Sequence, residues 1–275
     1  MNLPSTLSHS PAAERNGHLI LARLQQLLPA QGRALEIASG TGQHVALFGA
    51  NLPGWTWQPS DLNADDFPSI RQWCAQTGAT QVRPPCQLDV LAPSWPMVGE
   101  AFERLFDVIF CANMLHIAPW ACCPALMQGA ARHLAVGGRL ITYGPYLERE
   151  RPIAPSNLSF DCSLRERDAS WGIRHLHEVV AQAELVGLRL SSRFEMPANN
   201  LLLVFERLSA VRAAGNPQWR QVPDFNESRP ERIAKQGATP VSPWVRPKMT
   251  RYFSERPPLI LHQRESVRLL RPVHF

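Results

Sequence analysis

The sequence predicts an α/β fold, a mostly parallel, doubly wound sheet with helices on both faces. Three observations predict it. Short apolar runs alternate with segments of helical periodicity through the first 207 residues, the order that gives parallel strands joined by crossover helices. One run, Phe106-Asp107-Val108-Ile109-Phe110-Cys111-Ala112-Asn113, is almost continuously apolar, as a central parallel strand covered on both faces must be. The apolar run at 34–37 passes through Ala38-Ser39-Gly40-Thr41-Gly42 into a helix-like segment at 45–51, giving a strand, a tight glycine turn and a helix N-terminus.

Each element has its own warrant. Residues 1–16 are polar and proline-punctuated and read as irregular. A helix is predicted at 17–28, where Ile20, Leu21, Leu24 and Leu28 share one stripe. A strand at 33–38 and a helix at 42–51 flank the glycine turn. Trp55-Thr56-Trp57-Gln58-Pro59 alternates as a second strand, and Ser60-Asp61 carries it into a loop. A helix at 68–77 precedes a third strand at 81–88, which Pro84-Pro85 makes irregular and Asp89 closes. After the fourth strand, 106–113, a helix at 120–134 leads through Gly137-Gly138 to a fifth strand at 139–143, which Gly144-Pro145 breaks. Residues 147–172 read as a charged loop, and a helix at 173–183 ends near Gly187. Strands at 188–195 and 201–205 are joined by a short link and are therefore antiparallel neighbours. Five parallel-type units ending in a hairpin give the Rossmann-like, seven-stranded layout of class I methyltransferases rather than a plain dinucleotide-binding domain.

Charge divides the 275-residue chain. Residues 208–275 hold 12 basic and 5 acidic residues, a net of +7, whereas residues 1–207 carry a net of −2. The basic character of the whole chain therefore does not argue that its main domain binds nucleic acid. Nine prolines interrupt residues 208–275, which read as a flexible or loosely docked tail after a domain at 1–207. The six cysteines form no C-x-x-C pair and no metal-ligand spacing, so they are expected to be free thiols in the cytoplasm, and no metal is expected. No apolar run approaches the length of a membrane span, and no signal peptide is expected at the N-terminus.

The turn and two later aspartates point to a cofactor. Gly40 and Gly42 let a ligand lie across the strand ends, where a Cβ would collide. Asp61 follows the second strand about 20 residues beyond the turn, the offset of a carboxylate that grips ribose hydroxyls. Asp89, after the third strand, suits an adenine amino group. Glu36 sits at the strand end, near the turn, to hold a cationic end or to order the loop. S-adenosylmethionine presents these groups: an adenosine, a sulfonium and an amino-acid end. A nicotinamide dinucleotide would ask for a third glycine where Val45 stands.

Several longer motifs carry a resemblance. They are Ser10-Pro11-Ala12-Ala13-Glu14-Arg15-Asn16, the run from Leu35 to His44, Trp57-Gln58-Pro59-Ser60-Asp61, Asn113-Met114-Leu115-His116-Ile117-Ala118-Pro119-Trp120, Tyr143-Gly144-Pro145-Tyr146, Ala154-Pro155-Ser156-Asn157 and Met196-Pro197-Ala198-Asn199-Asn200. In that order they resemble the methyltransferase-like 26 family, also called domain of unknown function 938, over about residues 8–207. The resemblance implies an S-adenosylmethionine-dependent methyltransferase-like fold whose substrate is poorly characterised; the first reading is a methyltransferase acting on a small-molecule acceptor. Where the wider superfamily has the first glycine of its turn, this chain has Ala38. The cofactor-binding set becomes Arg15, Asn16, Glu36, Ala38, Ser39, Gly40, Gly42, Asp61, Leu62, Asp89, Val90 and Asn113.

Ligands of open α/β sheets bind at the carboxyl ends of the strands. The candidates there for acceptor contact or proton transfer are His116, Tyr146 and Asn157, with Tyr143, Asp161, Asn199 and Asn200 nearby. Each has a plainer role to set beside this one: a helix cap for His116, packing for Tyr146, Asx bonding within the loop for Asn157 and Asp161, a helix start for Arg15 and Asn16. Two other functions stay open on sequence. One is a cofactor-binding but catalytically idle interaction protein. The other is a nucleic-acid or protein methyltransferase guided by the basic tail, though that tail lacks a compact basic run and an aromatic platform.

Overall fold

The structure, a computed structural model, describes residues 7–209. Its elements are α1 (Pro11–Leu27), β1 (Gly32–Ile37), α2 (Gln43–Asn51), β2 (Trp55–Asp61), α3 (Phe67–Thr77), β3 (Cys86–Gln87), β4 (Phe106–Ala112), α4 (Cys122–His133), β5 (Leu134–Leu147), α5 (Pro155–Arg167), β6 (Arg174–His175), α6 (Leu176–Glu184), β7 (Leu188–Met196) and β8 (Asn200–Arg207). They form the Rossmann-like, mostly parallel sheet of the class I methyltransferase fold. The strand order is β3-β2-β1-β4-β5-β8-β7, and the two-residue β6 pairs with the end of β5. β1 to β5 run parallel, while β8 lies antiparallel between β5 and β7. The sheet thus has eight strands against the seven expected, the extra one being β6.

Apolar side chains fill both faces. On one, Leu126, Met127 and Ala130 of α4 and Val179 and Ala183 of α6 pack against Leu35, Ile109 and Leu140. On the other, Ile20, Leu21 and Leu24 of α1, Val45 and Phe48 of α2 and Ile70 of α3 cover Ala34, Trp57, Val108 and Phe110. The Phe48 and Phe110 rings meet edge to face at 5.3 Å, an arrangement that adds to the area they bury. With β1 and β4 sealed on both faces, ligand access is left to the sheet edges.

Local physics moves several boundaries. α1 starts at Pro11 and not at residue 17, because the Ser10 hydroxyl accepts the Ala13 N–H and Pro11 sits where a helix needs no N–H donor. Arg15 and Asn16 are therefore helical residues and do not precede the helix. The third strand shrinks to Cys86–Gln87 with a single bridge from Trp57 to Val82, since Pro84-Pro85 removes two donors. Gly144-Pro145 does not break β5: both residues pair with β8, and Pro145 lies past the end of β4, where no ladder is needed on that side. The predicted loop at 147–172 contains α5, a surface helix that opens on Pro155 and buries only Asn157 and Leu164. The helix expected from 173 begins at Leu176, after β6. The predicted tail, 208–275, lies outside the described residues except for its first two.

Candidate active site

The glycine turn stands at the carboxyl end of β1. Ala38, Gly40 and Gly42 all have left-handed backbones, with φ of 57°, 52° and 87°. The two glycines serve different ends. A Cβ on Gly42 would lie 2.6 Å from the Ile70 Cα, so that position is fixed by packing against α3. A Cβ on Gly40 would meet nothing within 4 Å, so its face is open to a ligand. Beneath the turn, the Glu36 side chain is buried with its Oε2 lacking any hydrogen-bond partner. Burial raises its pKa to about 8, with the Ser39 hydroxyl drawing it down and Asp61 pushing it further up. Ser39 ties the turn to β2: its N–H donates to the Ser60 carbonyl at 2.9 Å and its Oγ accepts the Ser60 N–H at 3.2 Å.

Asp61 ends β2 beside this turn. Its Oδ2 accepts the Gly40 N–H at 2.8 Å and its Oδ1 the Asn63 N–H at 3.0 Å. Burial pushes the carboxyl up, and backbone donors from Asn63, Gly40 and Leu62 pull against it. A carboxylate has lone pairs beyond these three bonds, so Asp61 keeps acceptor capacity. Asp89 instead folds into its own loop, its Oδ1 accepting the Leu91 N–H at 2.8 Å. Beside the two aspartates lie apolar residues the fold leaves uncovered: Leu62 is 41% exposed and Leu91 51%, whereas Val90 is buried. Leu91 escaped the sequence reading; its signal was an apolar residue two positions past a strand-end aspartate.

The end of β4 carries Asn113 and His116. Asn113 is left-handed (φ 61°) and its N–H donates to the Tyr143 carbonyl at 2.8 Å, which binds the loop to β5. The absent Cβ of Gly144 marks the place where His116 and Asn113 converge, 3.4 Å from the His116 Nδ1 and 3.9 Å from the Asn113 Oδ1. His116 is buried with Phe160 of α5 edge-on at 5.4 Å. Burial, then the nearby Arg174 and Arg167, hold its pKa down at about 4, so the ring is neutral. Arg174 went unnoticed in the sequence, yet it pins this loop by donating to the carbonyls of Leu115 at 2.9 Å and Ala118 at 2.5 Å.

The remaining candidates divide. Asn16 faces inward and not toward solvent: its Oδ1 is 2.7 Å from the His44 Nε2, and its amide lies against the Tyr143 hydroxyl. His44, a further residue the sequence reading passed over, is buried at the start of α2 and stacked on Phe48, with a pKa lowered to about 4 by burial. Arg15, one residue before Asn16, is exposed. Tyr146 is buried and its hydroxyl is shared with Thr142 at 2.8 Å, while burial pushes its ionisation up. Asn157 sits in the first turn of α5 and reaches the Asn199 carbonyl only at 3.4 Å. Asp161 is spent on Arg165 and on the Ile173 N–H at 2.7 Å. Among the described residues no group of His, Cys, Asp and Glu could hold a metal, and the six cysteines are free thiols.

Strain picks out the same edge. Among the described residues, the non-glycine positions with left-handed φ are Ala38, Asn113, Ala198 and Asn199. All four lie at the carboxyl ends of β1, β4 and β7. Each costs energy that a fold retains where geometry matters. The turn, the orphaned Glu36 oxygen and the uncovered Leu62 and Leu91 are a donor and packing set that fits an adenosine-bearing cation such as S-adenosylmethionine.

Comparison with known proteins agrees with this architecture. A family model described as a protein of unknown function, DUF938, matches residues 7–207. Among solved structures, an O-methyltransferase family protein from Burkholderia thailandensis superposes with a TM-score of 0.60 at 15% identity, over 72% of this chain and 58% of that one. An O-methyltransferase family 2 protein from Planctomyces limnophilus, in complex with apigenin, gives 0.60 at 18% identity, over 72% and 60%. CalO1, a methyltransferase in calicheamicin biosynthesis solved with S-adenosylhomocysteine, gives 0.57 at 20% identity, over 70% and 54%. The chain spans somewhat more than half the length of these neighbours. No helix among the described residues is long and apolar enough to cross a membrane.

Proposed function

The chain belongs to the DUF938 family, whose function is unknown, and on that premise we propose that it binds S-adenosylmethionine and transfers its methyl group to a small molecule. The observation that carries this reading is the buried, unpartnered Glu36 oxygen under a glycine turn whose Gly40 face is open. A buried carboxyl oxygen without a partner is costly, and a cation bound beside it offsets that cost. Neighbours with the same fold are described as methyltransferases, and one of them was solved with S-adenosylhomocysteine. The narrower likeness to methyltransferase-like 26 proteins rests on the sequence motifs.

In this reading Asp61 and the Gly40 backbone orient the ribose, and Leu62 and Leu91 flank the adenine. Glu36 faces the charged end, and Asn113 borders the reacting group. The cofactor supplies an already activated methyl, so the protein has mainly to align the acceptor and exclude water. His116 then acts as a neutral hydrogen-bonding wall. A ring with a pKa near 4 holds a proton too weakly to take one from a neutral acceptor at pH 7.

Calorimetric titration with S-adenosylhomocysteine tests the premise. Binding is expected, and Asp61→Asn is expected to weaken it at least tenfold while leaving the circular dichroism spectrum unchanged. Absence of binding, or an Asp61→Asn chain that binds as well as the parent, refutes the cofactor assignment. Methyl transfer from labelled cofactor into a metabolite extract then separates an enzyme from an idle binder.

A further inference from the structure

Where β5 runs out past Tyr146, the sheet opens into a cavity of about 200 Å³. Its walls come from the end of β5, the link between β7 and β8, and the stretch that enters α5. One side is apolar, with Tyr146, Met196 and Leu201. The lining also holds a ring of ion pairs. Arg193 grips Glu148 with two bonds, Nε to Oε1 at 3.0 Å and Nη2 to Oε2 at 2.6 Å. Arg151 reaches the Glu195 Oε1 at 2.5 Å, and Arg193 touches the same oxygen only loosely, at 3.4 Å.

We propose that this cavity is the acceptor site and that it takes a small acceptor bearing a carboxylate, which Arg193 and Arg151 hold. The proposal rests on the methyltransferase reading for the word acceptor, but the anion preference stands on the cavity itself. A guanidinium carries more N–H donors than a carboxylate carries oxygens, so a ring of two arginines and two glutamates has donors to spare. Both Glu148 oxygens are engaged, whereas the Arg193 Nη1 has only its long contact to Glu195. Glu195 is the member that yields, since its side chain is 62% exposed against 24% for Arg193. A ligand carboxylate replaces it on both arginines, and Glu195 returns to water at little cost. Forked recognition of a planar carboxylate is what guanidinium geometry suits.

The rest of the ligand is then directed along Tyr146 and Met196. The Asn157 amide borders the same space with only its 3.4 Å contact to Asn199 made, which leaves it able to hydrogen-bond a polar substituent. The two adjacent left-handed residues Ala198 and Asn199 hold the link that forms this wall.

Ligand-observed NMR titration of the full chain, saturated with S-adenosylhomocysteine, tests the proposal with benzoate and its uncharged isostere benzamide. Benzoate is expected to bind at least tenfold more tightly. Arg193→Gln is expected to erase that preference, and Glu195→Gln, which removes the competing carboxylate, to tighten benzoate severalfold. Equal binding of the two probes, or a Glu195→Gln chain that binds benzoate more weakly, overturns the proposal. Should Arg193→Gln fail to fold, Glu195→Gln and Arg151→Gln at exposed positions still decide it. S-adenosylhomocysteine binding without a benzoate preference sinks the carboxylate pocket alone. A benzoate preference without S-adenosylhomocysteine binding sinks the methyltransferase reading and leaves an anion pocket.

Discussion

At Glu36 a carboxyl group is buried under the glycine turn with one oxygen unpartnered, and burial keeps its proton on up to about pH 8. In the free chain at neutral pH it is therefore uncharged. A bound cation favours the ionised form, so binding must release a proton, and affinity must rise with pH until Glu36 is ionised in the free chain as well. The expected outcome is S-adenosylmethionine affinity that climbs between pH 6 and 8, by up to about tenfold per pH unit, and then levels. Glu36→Gln is expected to flatten the curve. Calorimetry at pH 6, 7, 8 and 9 checks this, and a wild-type curve that falls with pH defeats the assignment of Glu36 to the cation. Ala38 poses the neighbouring question, because its left-handed φ of 57° is a conformation glycine adopts freely. Ala38→Gly is expected to leave cofactor affinity intact and to raise stability by up to about 1 kcal/mol in urea unfolding, the relieved strain being partly offset by unfolded-chain entropy.

Elements explain which parts of the molecule could be read from the chain. β1 and β4 were legible because a buried strand must be apolar along its length, β2 because its residues alternate, and the β7–β8 hairpin because a short link forces antiparallel pairing. The turn was legible because left-handed backbone selects glycine, and Asp61 because strand order fixes where a second carboxylate emerges. α5 was hidden by its own surface: with only Asn157 and Leu164 buried, it leaves no apolar periodicity to find. The end of β5 was hidden because Gly-Pro reads as a break unless one knows that β4 has already ended there. The ion-pair ring joins residues 148 and 151 to 193 and 195 and has no local signature at all. α1 was misjudged at its start, and the Asn16–His44 bond at 2.7 Å joins it to α2. Asn16→Ala leaves the buried His44 Nε2 without that partner, which is expected to cost about 1–3 kcal/mol in urea denaturation. A cost near zero would mean that α1 is held by Ile20, Leu21 and Leu24 alone.

For the whole molecule, four buried groups, His44, His116, Glu36 and Asp61, set the pH dependence of stability. His44 and His116 have pKa values near 4 against 6.5 in an open chain, so the unfolded state binds their protons first as pH falls. Their contribution is complete above pH 6.5 and is lost as the pH drops through 4. Glu36 has the opposite sign: its folded pKa of about 8 stands above its ordinary 4.5, so the folded state holds the proton longer. Its contribution is complete below pH 4.5 and is lost as the pH rises through 8. Asp61, also raised by burial, acts in the Glu36 direction. Each group changes the slope by about 1.4 kcal/mol per pH unit within its window. From pH 4.5 to 6.5 the two histidines work against Glu36, with Asp61 opposing them only at the acid end, so stability rises; from 6.5 to 8 Glu36 dominates, so stability falls. The free chain is therefore expected to be most stable near pH 6.5. His116→Asn is expected to remove the rise below that point, since one histidine then faces Glu36 and, at the acid end, Asp61 as well. Saturation with S-adenosylhomocysteine is expected to remove the fall above it, since its ammonium group favours ionised Glu36. Urea unfolding from pH 4.5 to 8.5 measures all three curves. A maximum above pH 7.5 would show that groups other than these govern the fold, and a descending limb that cofactor product leaves unchanged would separate Glu36 from the ligand site.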